Sequence, residues 1–267
     1  MKILSIGAHP DDSEGSIGGS AALWRRRGDS ICFVSITDGR SGHYLPEYAQ
    51  NPQALIDRRL TESANAANVI GATWGNLGVP DGAVYVNAQT TEAIVRAIRT
   101  FEPDLVVTNR PVDYHRDHRY GAQMVLDASY ILTVPLLCPD TPALDRMPVI
   151  AYWHDHFTEA APFRADVIVA VDSVLDEMTL QFGAHESQVW EWLPYNRGEL
   201  DKVPAALEER LAWLRSTWIE PRGARTRADC AESLHSRMPH GHFVEAFQIS
   251  EYGRRPSKEE LSALFPV

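Results

Sequence analysis

Apolar residues along the chain fall into short unbroken runs that alternate with segments of helical spacing. Ile3 to Ala8 is an apolar run without helical periodicity, and a polar turn follows it. From Ser16 to Arg27, Ile17, Ala21 and Trp24 recur at helical intervals until Gly28 closes the segment. Ser30 to Thr37 reads as a second buried strand, followed by a long loop holding Gly39, Gly42, His43, Pro46 and Pro52. A loop of that length in a compact domain is usually functional. Ala54 to Ile70 carries Ile56, Leu60, Ala64 and Ala67 on one face and ends at Gly71. A third strand runs into Leu77–Gly82, a helix spans Thr90 to Phe101, and Pro103 leads into a fourth strand, Asp104 to Thr108. Arg119 to Leu132 predicts the next helix. Pro135, Pro139, Pro142 and Pro148 then interrupt the pattern before strands at Val149–Trp153 and Asp166–Val171. Helices are expected around Asp172–Phe182 and Pro204–Trp218, and a last strand at His242–Ile249. Glu220 to Asp229, rich in arginine and holding Pro221 and Gly223, reads as an exposed or mobile segment.

Alternating strands and helices imply an α/β fold, a doubly wound, mostly parallel sheet with helices on both faces and right-handed crossovers. No internal repeat or linker divides the chain. Residues 1–267 are therefore read as one domain, with a catalytic core over 1–135 and a part over 136–267 that shapes the substrate side.

Composition narrows the function classes. Asp and Glu total 36 against 25 Lys and Arg, a formal charge of −11, which argues against a phosphate-tracking nucleic-acid binder and for a neutral or cationic small-molecule partner. With 44% hydrophobic residues the chain can bury a sizeable core and is not a disordered protein. No run approaches the roughly 20 apolar residues of a membrane span. The first apolar run is too short for a secretory signal and meets Asp11, Asp12 and Glu14 at once. Cys32, Cys138 and Cys230 are odd in number and far apart, with no CxxC pair, against a disulfide framework or a thiolate zinc knuckle. A reducing cytoplasm is the expected location, and a homo-oligomer is left open.

The chemistry concentrates at two strand ends. After the first strand comes Ala8-His9-Pro10-Asp11-Asp12-Ser13-Glu14, where a dinucleotide-binding protein would carry a glycine-rich turn; here adjacent carboxylates would repel a pyrophosphate. Imidazole and carboxylate at i and i+3 suit a borderline divalent cation, with Asp11 left free to act as a base. An acidic helix cap is the plainer alternative. After the fourth strand comes Asp113-Tyr114-His115-Arg116-Asp117-His118, two histidines three apart near a helix start. In a sheet ordered 3-2-1-4, strands one and four are neighbours at the switch point, and the loops after their carboxyl ends form the ligand crevice. That order would bring His9, Asp12, His115 and His118 together. A lone HxxH is more often a solvated helix face, but two such clusters at adjacent strand ends are hard to produce by accident.

At these residues the chain resembles the LmbE-like, or PIG-L, family of zinc-dependent N-deacetylases. The likeness rests on Ala8–Asp12 with Glu14, Gly18-Gly19, Thr37-Asp38-Gly39, Arg59 with Glu62, Pro80-Asp81, Pro103-Asp104 and His115-Arg116-Asp117-His118, and covers most of residues 1–130. A weaker match continues in His185-Glu186-Ser187-Gln188 and around Glu245-Ala246-Phe247. The resemblance implies a Rossmann-like fold and hydrolysis of an N-acyl group, typically acetyl on an amino sugar. It also implies one zinc ion per chain on His9, Asp12 and His118, and Asp11 as general base. It makes His115, backed by Asp117, the group that stabilises the oxyanion or protonates the leaving amine. Arg59 and Asp81 match positions that hold sugar hydroxyls. Arg116 stands where the family usually has proline, which would make the mouth of the site more basic. Cleavage of a thiol-conjugate amide is the nearest variant. A metal-dependent phosphohydrolase is opposed by the lack of a second dense carboxylate set, and a non-catalytic sugar-binding module would leave Asp11 without a purpose.

Downstream, Tyr152-Trp153-His154-Asp155-His156-Phe157 and Trp190-Glu191-Trp192 are aromatic-rich; core packing is the reading for most of them, and a sugar or acyl pocket for the remainder. His235, His240 and His242 are read as surface or strand residues.

Overall fold

The computed structural model describes residues 1–234 and 239–266, so His235 lies outside the described residues. In chain order the elements are β1 (Lys2–Gly7), α1 (Asp12–Arg27), β2 (Ser30–Thr37), α2 (Pro46–Gln50), α3 (Pro52–Ile70), β3 (Thr73–Val79), α4 (Ala88–Phe101), β4 (Leu105–Thr108), α5 (Arg116–Ile131) and β5 (Val149–Trp153). There follow β6 (Val167–Ala170), α6 (Leu175–Gly183), α7 (Leu193–Arg197), α8 (Leu207–Leu214), α9 (Glu220–Leu234), β7 (Val244–Ile249) and α10 (Lys258–Leu264).

Among the described residues the strands form one sheet in the order β3-β2-β1-β4-β5-β7-β6. The first five in that order are parallel neighbours, and β7 runs antiparallel to both β5 and β6. The expected order 3-2-1-4 is present, and the sheet is α/β and Rossmann-like. No described helix is long and apolar enough to cross a membrane.

Apolar runs form the central strands because both faces of the sheet are covered. Along β1, Ile3 packs with Trp24 of α1, Ala67 of α3 and Met178 of α6. Its neighbours Leu4 and Ile6 pack on the other face with Ile94 of α4 and Val125 of α5. Side chains on a strand alternate faces, so one run serves two cores.

Three departures from the sequence reading have local causes. Helix α1 starts at Asp12 rather than Ser16, because its first turn is built from the acidic site residues, and its backbone is irregular at Ile17 (φ −134°, ψ 18°). Beyond that break the Gly19 and Ser20 N–H groups donate to Glu245 of β7 at 2.8 and 2.7 Å. The segment 220–229 is helical, not a mobile strip, and Thr226 in it is buried. Pro221 directly follows the π-helical turn Arg215–Ile219, through which α8 runs into α9 without a break, and a Cβ on Gly223 would lie 2.8 Å from Phe243 Cβ, so the helix packs closely on the chain before β7. The proline-rich stretch 132–148 wraps the buried Arg99, whose guanidinium donates to the carbonyls of Ile131, Leu132, Val134, Leu137, Cys138 and Thr141.

Glu245 is buried and satisfies two backbone donors that have no other use for their protons. An unsatisfied buried donor costs about 1–3 kcal/mol. Glu245→Ala is therefore expected to lower unfolding stability by about 2–5 kcal/mol, read from the urea midpoint at unchanged m-value; a loss below about 1 kcal/mol would show that water replaces the carboxylate.

Candidate metal and active site

The order of the sheet reverses between β1 and β4, and the loops after β1, β2, β3 and β4 meet there. They enclose a cleft of about 310 Å³ lined by His9, Asp11, Asp12, Ser41, Gly42, Arg59, Asp81, Gly82, Tyr114, His115, His118, Gln188, Trp192 and Leu193. All eight predicted site residues fall at or against this point; Asp117, fully buried, touches it from behind through His9.

The turn after β1 is tight. A Cβ on Gly7 would lie 2.6 Å from Asp12 Cβ, so only glycine lets the aspartate fold back over the strand end. Asp12 Oδ2 then accepts the His9 N–H at 2.8 Å. Asp11, between them, is held at φ 112°, a region that residues with a Cβ rarely adopt. Strain of this kind costs about 1–3 kcal/mol and persists only where the surroundings over-determine it. Here Arg59, buried in α3, donates to Pro10 O at 2.6 Å, to Asp11 Oδ2 at 3.3 Å and to Gly39 O at 3.0 Å. Gly39 itself has φ 71°, and a side chain there would strike the guanidinium.

The two ligand-type histidines face each other. His9 Nδ1 lies 3.1 Å from His118 Nε2. Asp12 Oδ2 is 3.6 Å from the first and Asp12 Oδ1 is 3.5 Å from the second. On the far side of His9, Nε2 meets Asp81 Oδ1 at 3.3 Å and Asp117 Oδ2 at 3.6 Å. On the far side of His118, Nδ1 meets Asp113 Oδ2 at 3.0 Å. These carboxylates draw each ring proton outward, so in neutral rings the two lone pairs oppose one another. That arrangement calls for a shared proton or a cation between them. Four ligands held tetrahedrally at about 2.0–2.1 Å lie about 3.3–3.4 Å apart, close to the separation of the two ring nitrogens, while Asp12 reaches each ring with a different oxygen. A ring nitrogen of His115 also comes within 4.8 Å of those of His9 and His118.

The surrounding charges follow. Burial works against the charged imidazoles, but Asp117, Asp12 and Asp81 hold His9 well above its ordinary pKa, and Asp12 and Asp113 raise His118. Burial opposes ionisation of Asp12 too, yet His118 and His9 keep its carboxyl well below the usual range. Asp11 differs: burial pushes it up to about 6, with Arg59 pulling the other way. His115 is lowered by burial and by the neighbouring His9 and His118.

One expected contact is absent. The Asp117 carboxylate does not back His115; it accepts the Gly82 N–H at 2.7 Å and faces His9, because the helix start at Arg116 turns it inward. The Asp117 backbone N–H instead donates to His115 Nδ1 at 3.2 Å. That contact assigns the proton of neutral His115 to Nε2, which makes the ring a donor. Arg59 and Asp81 line the cleft; the two terminal nitrogens of Arg59 are engaged by Gly39 and the turn after β1 while its buried Nε has no partner among the described residues, and Asp81 is engaged by His9 and the Ser41 N–H at 3.2 Å. Asp113 had no role in the sequence reading. Its signal is the spacing Asp113-x-His115-x-x-His118, which lets one carboxylate accept the His115 N–H at 2.7 Å and meet His118. Of the downstream aromatics, Tyr152, Trp153 and Trp190 are buried in the core, whereas Trp192 reaches the cleft. His154 pairs with Thr226 and Asp229 while His156 stacks on Phe157, so the two do not converge.

The family described as PIG-L, GlcNAc-PI de-N-acetylase, matches residues 4–129. A 1D-myo-inositol 2-acetamido-2-deoxy-alpha-D-glucopyranoside deacetylase of Catenulispora acidiphila is 28% identical over 157 residues, 48% of this chain and 44% of that protein. The chain spans about half the length of the curated relatives it matches. Among solved structures, the N,N'-diacetylchitobiose deacetylase of Pyrococcus horikoshii has a TM-score of 0.70 at 18% identity, covering 94% of this chain and 84% of that one. GalB, the 4-carboxy-2-hydroxymuconate hydratase of Pseudomonas putida KT2440, has the same TM-score and identity over 96% of this chain and 98% of that one. At such identities the likeness is one of fold, and one fold carries many reactions.

Gly7 offers a test of how the turn is built. Gly7→Ala is expected to cost about 1–3 kcal/mol through overpacking against Asp12, measured by chemical denaturation. An unchanged midpoint would mean that α1 can slide off the strand end without loss.

Proposed function

We propose that the protein, whose residues 4–129 match the PIG-L family, is a zinc-dependent hydrolase that removes the N-acetyl group from an amino sugar or glycoconjugate. The observation that carries the reading is the opposed pair His9 Nδ1 and His118 Nε2 at 3.1 Å, with Asp12 within 3.6 Å of both. These three would hold the ion. The outward carboxylates Asp81, Asp117 and Asp113 give each imidazole the partner that ligating histidines usually have.

When bound, zinc supplies a Lewis acid that polarises the amide carbonyl and makes a water acidic. The chain's own groups do the rest. Asp11 carries no ligand role, is fixed by Arg59 and stands beside Asp12, so it takes the proton of the attacking water. The same proton passes from Asp11 to the nitrogen as the C–N bond breaks, releasing acetate and the amine. His115 Nε2–H donates to the carbonyl oxygen as negative charge develops on it. Arg59 and Asp81 stand on the wall where sugar hydroxyls would lie, while Arg59 also anchors Asp11 and Asp81 anchors His9. Gln188, Trp192 and Leu193 close the cleft from the C-terminal part, which supports a substrate-shaping role for residues 136–267. A cytoplasmic location is part of the same reading.

Acetate release from a panel of N-acetylated amino sugars by the zinc-loaded protein is the direct test; phosphate release from phosphate esters without acetate release would replace the proposal with a phosphohydrolase. Asp11→Asn is expected to retain zinc and lose turnover by about two to four orders of magnitude. Near wild-type turnover in that variant would remove Asp11 as the base. His118→Ala is expected to lose bound zinc by metal analysis with the fold intact by circular dichroism, and undiminished zinc would transfer the ligand role to His115.

A further inference from the structure

Opposite the metal-type cluster, four aromatic rings form a column that joins the loop after β2 to the segment before α7. His43 stacks on Tyr44 with centroids 4.9 Å apart and 14° between planes. Tyr44 stacks on Tyr195 at 4.0 Å and 13°, and Tyr195 on Trp192 at 6.1 Å and 27°. Trp192 ends the column and is the member that lines the cleft. Tyr114, 80% exposed, also lines this cleft. Its ring keeps only loose contacts, with His115 at 6.0 Å and Phe157 at 6.4 Å between centroids, and leaves most of its surface open at the cleft.

The column is rigidly mounted. Trp192 closes a π-helical turn, Ser187–Trp192, an irregularity often found at functional sites. Glu191 beside it takes Arg58 in two contacts, at 2.8 and 2.6 Å, and His43 at 2.8 Å. Gln188 Nε2 donates to Gly42 O and Ser187 Oγ, both at 3.0 Å. Glu191, Arg58 and His43 are thus engaged with one another, and the Gln188 amide nitrogen with Gly42. What the wall adds to the cleft is aromatic surface, which suits a flat aromatic group.

We propose that Trp192, together with Tyr114 on the same cleft, forms a subsite for a planar aromatic aglycone carried by the amino sugar. This rests on the deacetylase reading for the reacting end of the substrate and adds what lies beyond it.

The test compares acetate release from methyl, 2-naphthyl and N-acetylglucosaminyl glycosides of N-acetylglucosamine by the zinc-loaded full chain. The naphthyl glycoside is expected to exceed the methyl one in kcat/KM by about three- to tenfold, the worth of one aromatic stack. Trp192→Ala should bring that ratio close to one, and Trp192→Phe should retain most of it. A ratio near one in the unaltered protein overturns the subsite. So does a ratio that survives Trp192→Ala while both substrates slow by the same factor, or a larger gain from the second sugar that Trp192→Ala abolishes. If no glycoside releases acetate, the deacetylase reading fails separately. Calorimetric dissociation constants for the methyl and naphthyl glycosides then decide the subsite by the same ratio in the same variants.

Discussion

His9 has two ring nitrogens, and the site is arranged by what each of them faces. One looks inward at His118 and Asp12, the other outward at Asp81 and Asp117. The outward carboxylates decide the tautomer, and the tautomer decides that a lone pair points inward. Asp113 does the same for His118. Without these outer carboxylates the ring protons could sit inward, and the two lone pairs would no longer face one another. The outer layer is thus as much a part of the cluster as the facing rings, and it draws on the segments around β3, β4 and α5 together.

The cost of crowding so many carboxylates is met locally. Asp11, at a strained φ and with its pKa raised by burial, is kept in place by the buried Arg59, which spans Pro10, Asp11 and Gly39. Arg59 is one residue from Arg58, and the two point to different tasks. Arg59 fastens Asp11, while Arg58 and Glu62 fasten the C-terminal wall through Glu191 and Ser187. One helix, α3, therefore ties the turn after β1 to the C-terminal wall of the cleft.

The C-terminal part is bound in from the other direction as well. Glu245 on β7 completes the hydrogen bonding of α1 at its break, and α1 carries Asp12 in its first turn. Buried His185 lies 3.3 Å from Glu14 in the same turn. The weak downstream match in the sequence, around His185 and Glu245, is explained by these contacts: both residues support the helix that presents the site rather than facing the cleft.

Much of the centre was legible along the chain. His9, Asp11 and Asp12 sit in one turn and His115 and His118 in another, each after an apolar run, and runs, turns and i, i+3 spacings are set by near neighbours. Alternation and handedness gave the doubly wound class; the order 3-2-1-4 was a condition of the reading that the packed sheet meets. What the sequence did not disclose depended on which way a side chain turns once distant loops meet. Asp117 faces His9 rather than His115, Asp113 backs His118, and Asp81 is held by a histidine 72 positions before it. The helix at 220–229 was hidden because proline and glycine count against a helix locally, whereas Pro221 follows a π-helical turn that continues α8 and Gly223 makes a close contact that exists only in the packed chain. Local spacing determines which groups share a turn; only the tertiary structure decides which atom of each group meets which, because those distances come from strands brought side by side across a hundred residues.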